Sequence, residues 1–384
     1  MTLAVNLLVD YDEGRFGEDV LDAALRDAQE RGYRMIHAER ADDRLAAWID
    51  WQFPPSWWSS EARVADVWYA LAPDGDIAGF AAFDPQGLRF PWLRAYRDRP
   101  DVGIFGPYGV APGHRSTGIG DALLAAGLAS LRRKGYAHAL IPAVGPERLI
   151  LMYQTRARAR VVDEFDYDAP RRHRTVILAS GGGTNAQNVI DAVNAGRLPL
   201  ELVALIANSD DAFVLQRARR ADLAHHAIVW DREGESRAAY DVRIIETVAA
   251  AEPELILLLG WMHLLSNEFL MRFADVLNVH PAYLPFDSDA DDVTMPDGSR
   301  VPAFRGAHAI RDALAAGVTW SGASVHRVTE RTDRGTVLVR TPLRLEAIDD
   351  HESFVRAIRP LEHGAVLSAV RRWVFESAYD ASMV

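Results

Sequence analysis

The sequence predicts an α/β chain of two domains, a mixed α/β domain over residues 1–170 and a doubly wound, parallel-sheet domain over 171–384. Three observations lead there. The chain has 384 residues, and a domain holds roughly 100–200 of them. A polar, proline-bearing stretch at 163–174 swings from acidic to basic just ahead of the apolar run 175–180, which is the composition of a boundary. Beyond it, strand and helix patterns alternate, as a parallel sheet with right-handed crossovers requires.

In chain order, helical periodicity covers 18–31 and 41–51, and strand-like runs follow at 67–71, 77–83 and 102–110. A helix then spans about 118–134 and a strand 137–142. Past the boundary come strand 175–179, helix 185–195, strand 202–208, helix 212–221, a short strand near 226–229, helix 236–251 and strand 255–260. Helix 267–274 precedes a strand at 277–281, another strand carries His326, and a C-terminal helix carries Glu362. Residues 286–302 are rich in Asp and Gly and read as an inserted hairpin with Asp297-Gly298 as its turn.

Composition narrows the function classes. Apolar residues make up 49% and charged residues 25%, ordinary for a soluble chain with a full core. Forty-two basic residues against 54 acidic ones leave a net charge of −12, so no overall positive field draws the chain to nucleic acid. Lys134 is the only lysine. The absence of cysteine excludes a disulfide, a thiolate nucleophile and Cys-ligated zinc. The acidic start lacks the basic region of a signal peptide, and the most apolar stretch, 255–265, is interrupted by His263 and too short to cross a bilayer. The expected setting is the cytoplasm and the expected partner a small molecule, with neither nucleic acid nor membrane.

Four segments of the second domain carry candidate chemistry. The loop SGGGTN at 180–185 follows a strand and opens a helix, whose free N–H groups suit an anion. In LNVHP at 277–281, Asn278 and His280 are two apart and share a strand face, where a carboxamide and an imidazole can stabilise an oxyanion. In SVHRVTERTDRG at 324–335, His326 leads into a loop bearing Asp333, and an aspartate beside an imidazole can move protons. Glu362 lies in LEH at 361–363. Each also has a structural use: tight packing, a core histidine, a turn cap, a solvated helix face.

Together these segments resemble glycinamide ribonucleotide (GAR) formyltransferase and its N10-formyltetrahydrofolate-using relatives, over about 174–375. The resemblance implies a Rossmann-like domain in which Asn278 and His280 hold the formyl oxyanion and Asp333 organises proton transfer. It places Gly183, Thr184 and Asn185 at the substrate phosphate, Glu362 at the substrate amine and His326 beside the site. It assigns Arg237 and the segment Met262, His263, Leu264 and Leu265 to the folate. His263 stands where the family usually has arginine, and the 286–302 insert lies beside the site, where it can reshape the amine pocket.

The first domain contains FGPYGVAPGHRSTGIG at 105–120, a strand, a turn and a helix start that aims successive N–H groups at a pyrophosphate. This resembles the acetyl-CoA motif of the GNAT N-acetyltransferases, and implies acetyl-CoA held by Val110, Arg115, Gly118 and Gly120. Tyr153 falls where that family often places a general-acid tyrosine; it reads equally as a packing residue at a helix start. Residues 154–160 are arginine-rich where relatives carry an aromatic-glycine turn. The cluster Trp51, Trp57 and Trp58 suits an acceptor pocket, a lid or a homodimer contact.

The leading expectation is therefore a bifunctional transferase of a specialised pathway, formylating a primary amine of a small phosphorylated or anionic substrate, with an acetyl-CoA-dependent N-terminal domain. Two alternatives stand beside it: a GAR formyltransferase of purine synthesis with a non-catalytic acyl-CoA-binding domain, and a formyltetrahydrofolate hydrolase.

Overall fold

The computed structural model describes residues 3–11, 16–86, 91–96, 98–166, 171–346 and 348–380. Contacts divide it into one unit of residues 1–52, 58–169 and 375–384 and another of 53–57 and 170–374.

The first unit runs β1 (Leu3–Asp10), α1 (Glu18–Glu30), β2 (Arg34–Ala38), α2 (Asp43–Gln52), α3 (Trp58–Ala62), β3 (Asp66–Leu71), β4 (Ile77–Phe83), β5 (Val102–Val110), α4 (Ile119–Arg133), β6 (His138–Val144), α5 (Glu147–Arg156) and β7 (Arg160–Asp166). Its strands form one sheet in the order β2-β3-β4-β5-β6-β1-β7. Neighbours are antiparallel except β5 and β6, which pair in parallel only from Val102–Ile104 to His138–Leu140. Beyond Ile104, β5 keeps β4 as its partner as far as Val110, so β5 and β6 have already parted when the 110–120 loop begins. α4 buries Leu123, Leu124 and Leu128, and the core they join includes Leu7, Phe83 and Phe105.

The second unit continues β8 (His173–Ala179), α6 (Thr184–Asn194), β9 (Leu200–Ala207), α7 (Phe213–Arg220), β10 (His225–Ala227), α8 (Arg237–Ala250), β11 (Leu255–Leu258), α9 (Asn267–Arg272), β12 (Val276–His280), β13 (Asp292–Thr294), β14 (Arg300–Pro302), α10 (Ala309–Ala315), β15 (Trp320–Arg327), β16 (Val337–Arg344) and α11 (His351–Asp380). The sheet order β10-β9-β8-β11-β12-β15-β16 starts in the middle and winds both ways. Strands β10 to β12 are parallel, as the alternating pattern predicts. β15 and β16 are antiparallel additions. The parallel strands read as near-continuous apolar runs because helices cover both faces; Val176, Ile177 and Leu178 of β8 are all fully buried.

Two expectations change. The boundary stretch 163–174 is partly strand: β7 reaches Asp166 and β8 begins at His173, while 167–170 lie outside the described residues. β7 is an edge strand paired only to β1, so its outward residues are polar and imitate a linker. Tyr153 lies in the second half of α5 rather than at a helix start. The inserted hairpin forms as expected, with Val293 opposite Val301, and Asp297 at its turn accepts a 2.8 Å hydrogen bond from Nε1 of Trp320 in β15.

Candidate active site

A doubly wound sheet offers a crevice where the strand order reverses, outside the carboxyl ends of the strands. Here the reversal lies between β8 and β11. The loop after β8 carries Ser180–Gly183 and the loop after β11 carries 259–265. Ser180 joins them, its N–H donating to the Gly260 carbonyl at 3.0 Å and its Oγ accepting from the Met262 N–H at 2.9 Å. β12, next in order, ends on Asn278 and His280.

The β12–β15 register sets Asn278 opposite His326 and His280 opposite Ser324, so pairing brings the second imidazole to the first two side chains. The β15–β16 loop then delivers Asp333. Asn278 Nδ2 donates to His326 Nε2 at 3.2 Å and to Asp333 Oδ1 at 3.4 Å. His326 Nδ1 lies 2.8 Å from the Arg327 carbonyl, and its Nε2 lies 3.3 Å from Asp333 Oδ1. His280 Nε2 lies 2.7 Å from the Phe304 carbonyl and its Nδ1 lies 3.5 Å from Asp333 Oδ2. That same oxygen accepts from the Gly306 N–H at 2.7 Å.

Burial opposes the charge of Asp333, but the His326 contact, the nearby His280 and the Gly306 N–H outweigh it and hold the carboxyl well below the usual carboxylate range. Burial drives His280 the other way for a base, below the ordinary histidine value, with Asp333 and the Phe304 carbonyl opposing. The pair is a carboxylate with the Nδ1 of an imidazole 3.5 Å from its Oδ2. Such a pair has room for one proton. Asp333 itself sits at a φ of +51°, and a side chain on Gly335 would lie 1.7 Å from the Arg327 carbonyl.

Gly183 caps α6 at a φ of +68°, and a Cβ there would fall 2.2 Å from Val214, so the loop needs glycine. Thr184 opens the helix. Asn185 Nδ2 donates to Glu362 Oε2 at 3.0 Å, while Asn185 Oδ1 is buried with no partner among the described residues. Burial raises the Glu362 carboxyl above its ordinary value. A lone buried acceptor beside a carboxyl suits a ligand rich in donors.

In the 261–265 segment Met262 and Leu264 are 58% and 68% exposed. His263 packs among Trp230, Tyr240 and Trp261. Burial pushes the Tyr240 phenol up to about 12, so it stays protonated and donates to His263 Nδ1 at 2.8 Å; burial and Arg237 lower His263. Arg237 bonds to the Leu264 carbonyl and lies over the Trp230 ring at 5.3 Å. Leu265 packs against the core that holds Trp261. The indole N–H groups of Trp230 and Trp261 are buried with no acceptor among the described residues. Apolar walls with unanswered donors fit a flat, acceptor-bearing heterocycle such as a folate.

In the first unit, Arg115 donates through Nε to the Val110 carbonyl at 3.3 Å, closing the loop that Gly118 ends at the N-terminus of α4. A Cβ on Gly120 would meet the Tyr108 hydroxyl at 2.6 Å. Arg31 lies against Gly118, where a Cβ would meet its guanidinium at 2.8 Å, and donates to the Thr117 carbonyl at 3.0 Å, so a cation stands at the loop. Tyr153 is buried beside Tyr108, and burial raises its phenol, keeping it a proton donor. Trp48 and Trp58 both pack against Phe80, while Trp51 is exposed.

Sequence reasoning missed Phe304, Arg305 and Gly306, three consecutive residues in contact with His280 or Asp333. Two act through main-chain atoms, which residue type does not reveal. Their only signal was position, just after the insert.

Residues 173–287 and 297–370 match the family model described as formyl transferase, and residues 39–154 match the acetyltransferase (GNAT) family. The chain is 32% identical over 199 residues to the phosphoribosylglycinamide formyltransferase of Escherichia coli (strain K12), spanning 52% of this chain and 85% of that protein. It is 34% identical over 203 residues to the phosphoribosylglycinamide formyltransferase of Mycobacterium tuberculosis (strain ATCC 25618 / H37Rv), spanning 51% and 83%. Among solved structures, glycinamide ribonucleotide transformylase 1 from Symbiobacterium toebii aligns with a TM-score of 0.47 at 31% identity, over 54% of this chain and 89% of that one.

Proposed function

The chain belongs to the formyl transferase family and is a formyl-transferring enzyme, and from that premise we propose that residues 171–384 move a formyl group from N10-formyltetrahydrofolate to a primary amine on a small phosphorylated or anionic substrate. Residues 1–170 then form an acyl-CoA domain that takes acetyl-CoA at Val110, Arg115, Gly118 and Gly120, with Tyr153 as proton donor, and the fusion serves a specialised pathway. The observation that carries the reading is the convergence of Asn278, His280, His326 and Asp333 from two strands and a loop.

Bound N10-formyltetrahydrofolate supplies the formyl carbon. Arg237, Met262, His263, Leu264 and Leu265 hold the folate, and Gly183, Thr184 and Asn185 hold the acceptor's anionic end. Glu362 orients the amine. As the amine attacks, Asn278 exchanges its long 3.4 Å contact with Asp333 for the developing oxyanion, and His280 stabilises that oxyanion through the positive charge it gains with the proton. The gap between Asp333 and Nδ1 of His280 receives the proton the amine gives up and returns it to N10 of the folate as the bond from N10 to the formyl carbon breaks, releasing tetrahydrofolate and the formylated amine. His326 keeps the Asn278 amide turned toward that gap.

The test follows tetrahydrofolate release from N10-formyltetrahydrofolate, with Asp333→Asn as the blank. Release with other phosphorylated amines but not with GAR supports the specialised reading. Release with GAR alone makes the chain a fused purine enzyme, and release with no amine makes it a hydrolase.

A further inference from the structure

The family match steps over residues 288–296, yet this stretch is tied to the Asp333 loop by three arginines. Arg334, next to Asp333 in the chain, donates through Nη1 to the Ser288 carbonyl at 2.8 Å and pairs with Asp291. Arg331 pairs with Asp289 at 2.6 Å. Arg305 donates through Nη2 to the Ala290 carbonyl at 2.8 Å and through Nε to the Asp333 carbonyl at 3.2 Å, with Nη1 3.5 Å from Asp291.

These ties differ in strength. The Asp289 and Asp291 side chains are 74% and 80% exposed, and exposed ion pairs contribute little. The Arg305 side chain is only 12% exposed, and its bonds to two main-chain carbonyls are charge-assisted and planar. One carbonyl belongs to the insert and the other to Asp333. That geometry matters because Asp333 occupies the left-handed region, where a residue with a side chain persists only if its surroundings over-determine it. Phe304 and Gly306, on either side of Arg305, already contact His280 and the Asp333 carboxylate. Arg305 adds the grip on the main chain.

We propose that Arg305 is a positioning residue for formyl transfer, and that the insert 288–296 is the anchor against which it holds the Asp333 backbone so that the carboxylate meets His280 and His326. The proposal rests on the reading of Asp333 and His280 as the proton-handling pair.

Nitrogen-15 NMR of histidine side chains in the full chain tests it without donor or acceptor. Arg305→Ala is expected to move the His280 ring signals in the direction that Asp333→Asn moves them, and Arg305→Lys, which cannot reach both carbonyls, part of the way. With an acceptor that the wild type turns over, Arg305→Ala is expected to lower kcat about 10- to 100-fold at unchanged KM. Wild-type His280 signals in Arg305→Ala, while Asp333→Asn still moves them, overturn the proposal and leave the underlying reading standing. His280 signals unmoved by Asp333→Asn overturn the reading itself. Should Arg305→Ala fail to fold, Arg305→Lys decides: a His280 shift in the direction of Asp333→Asn supports the anchor, and wild-type His280 signals overturn it.

Discussion

At Asp333 burial alone would neutralise the carboxyl, and contacts with His326, His280 and the Gly306 N–H keep it charged. Asp333→Asn removes that charge with little change in shape, so kcat should fall by about 100- to 10,000-fold while donor affinity, measured by fluorescence titration, holds. His280 has a linked signature in stability. Its folded pKa lies below the ordinary value of 6.5, so the unfolded chain takes up a proton there that the native chain refuses. Its contribution is intact above the ordinary histidine range and is lost as pH falls through it. Urea unfolding from pH 7.5 to pH 5 should therefore lose less stability in His280→Gln than in the wild type. Glu362 has the opposite sign for a carboxyl: its pKa is raised by burial, so ionising it at neutral pH opposes folding. Glu362→Gln should raise Tm at pH 7 and raise the KM for the amine about tenfold, the loss of roughly 1.4 kcal/mol of charge-assisted bonding. That Asn278, His280 and Asp333 are candidates was legible because residue type alone names a carboxamide, an imidazole and a carboxyl, and the structure brings the three together. Phe304 and Gly306 were not, since any residue type supplies a carbonyl or an N–H.

Strands and loops do the assembling. Register across β12 and β15 puts His326 opposite Asn278, a juxtaposition of residues 48 apart that period-two alternation within one strand cannot reveal. The β8–α6 loop depends on the left-handed turn at Gly183 and its contact with Val214. Gly183→Ala should cost about 1–3 kcal/mol in urea unfolding and weaken the acceptor's anionic contact. Gly181→Ala is the control, because nothing lies within 4 Å of the added carbon. Among the elements, β4 and β5 match the pattern residue for residue, since buried apolar runs bounded by turn residues leave little choice. β2 and β7 went unread because each is a sheet edge with one neighbour and only partial burial, which erases the alternation. β16 went unread, and the antiparallel setting of β15 escaped too: a buried strand looks the same in either direction, and direction is fixed by the connection between strands.

At the scale of the whole chain, residues 39–154 match one family and residues 173–287 and 297–370 another, and the polar stretch that the sequence offers as the boundary belongs in part to β7. The net charge of −12 suits anionic substrates only where arginines and helix N-termini reverse it locally, and both candidate anion loops open helices, α4 and α6. If the first loop takes acetyl-CoA, a hundredfold excess over Kd should stabilise the chain by about 2.7 kcal/mol. Arg115→Ala, which frees the Val110 carbonyl, should remove most of the resulting rise in Tm without changing formyl transfer. The most direct measurement of the central claim follows an isotopically labelled formyl group from N10-formyltetrahydrofolate through a single turnover, in the wild type and in Asp333→Asn. The account predicts label in the amide carbon of the acceptor amine, at a rate that Asp333→Asn lowers to about one-hundredth or less. Label released as formate in the absence of any amine, or an Asp333→Asn rate equal to the wild type, would contradict it.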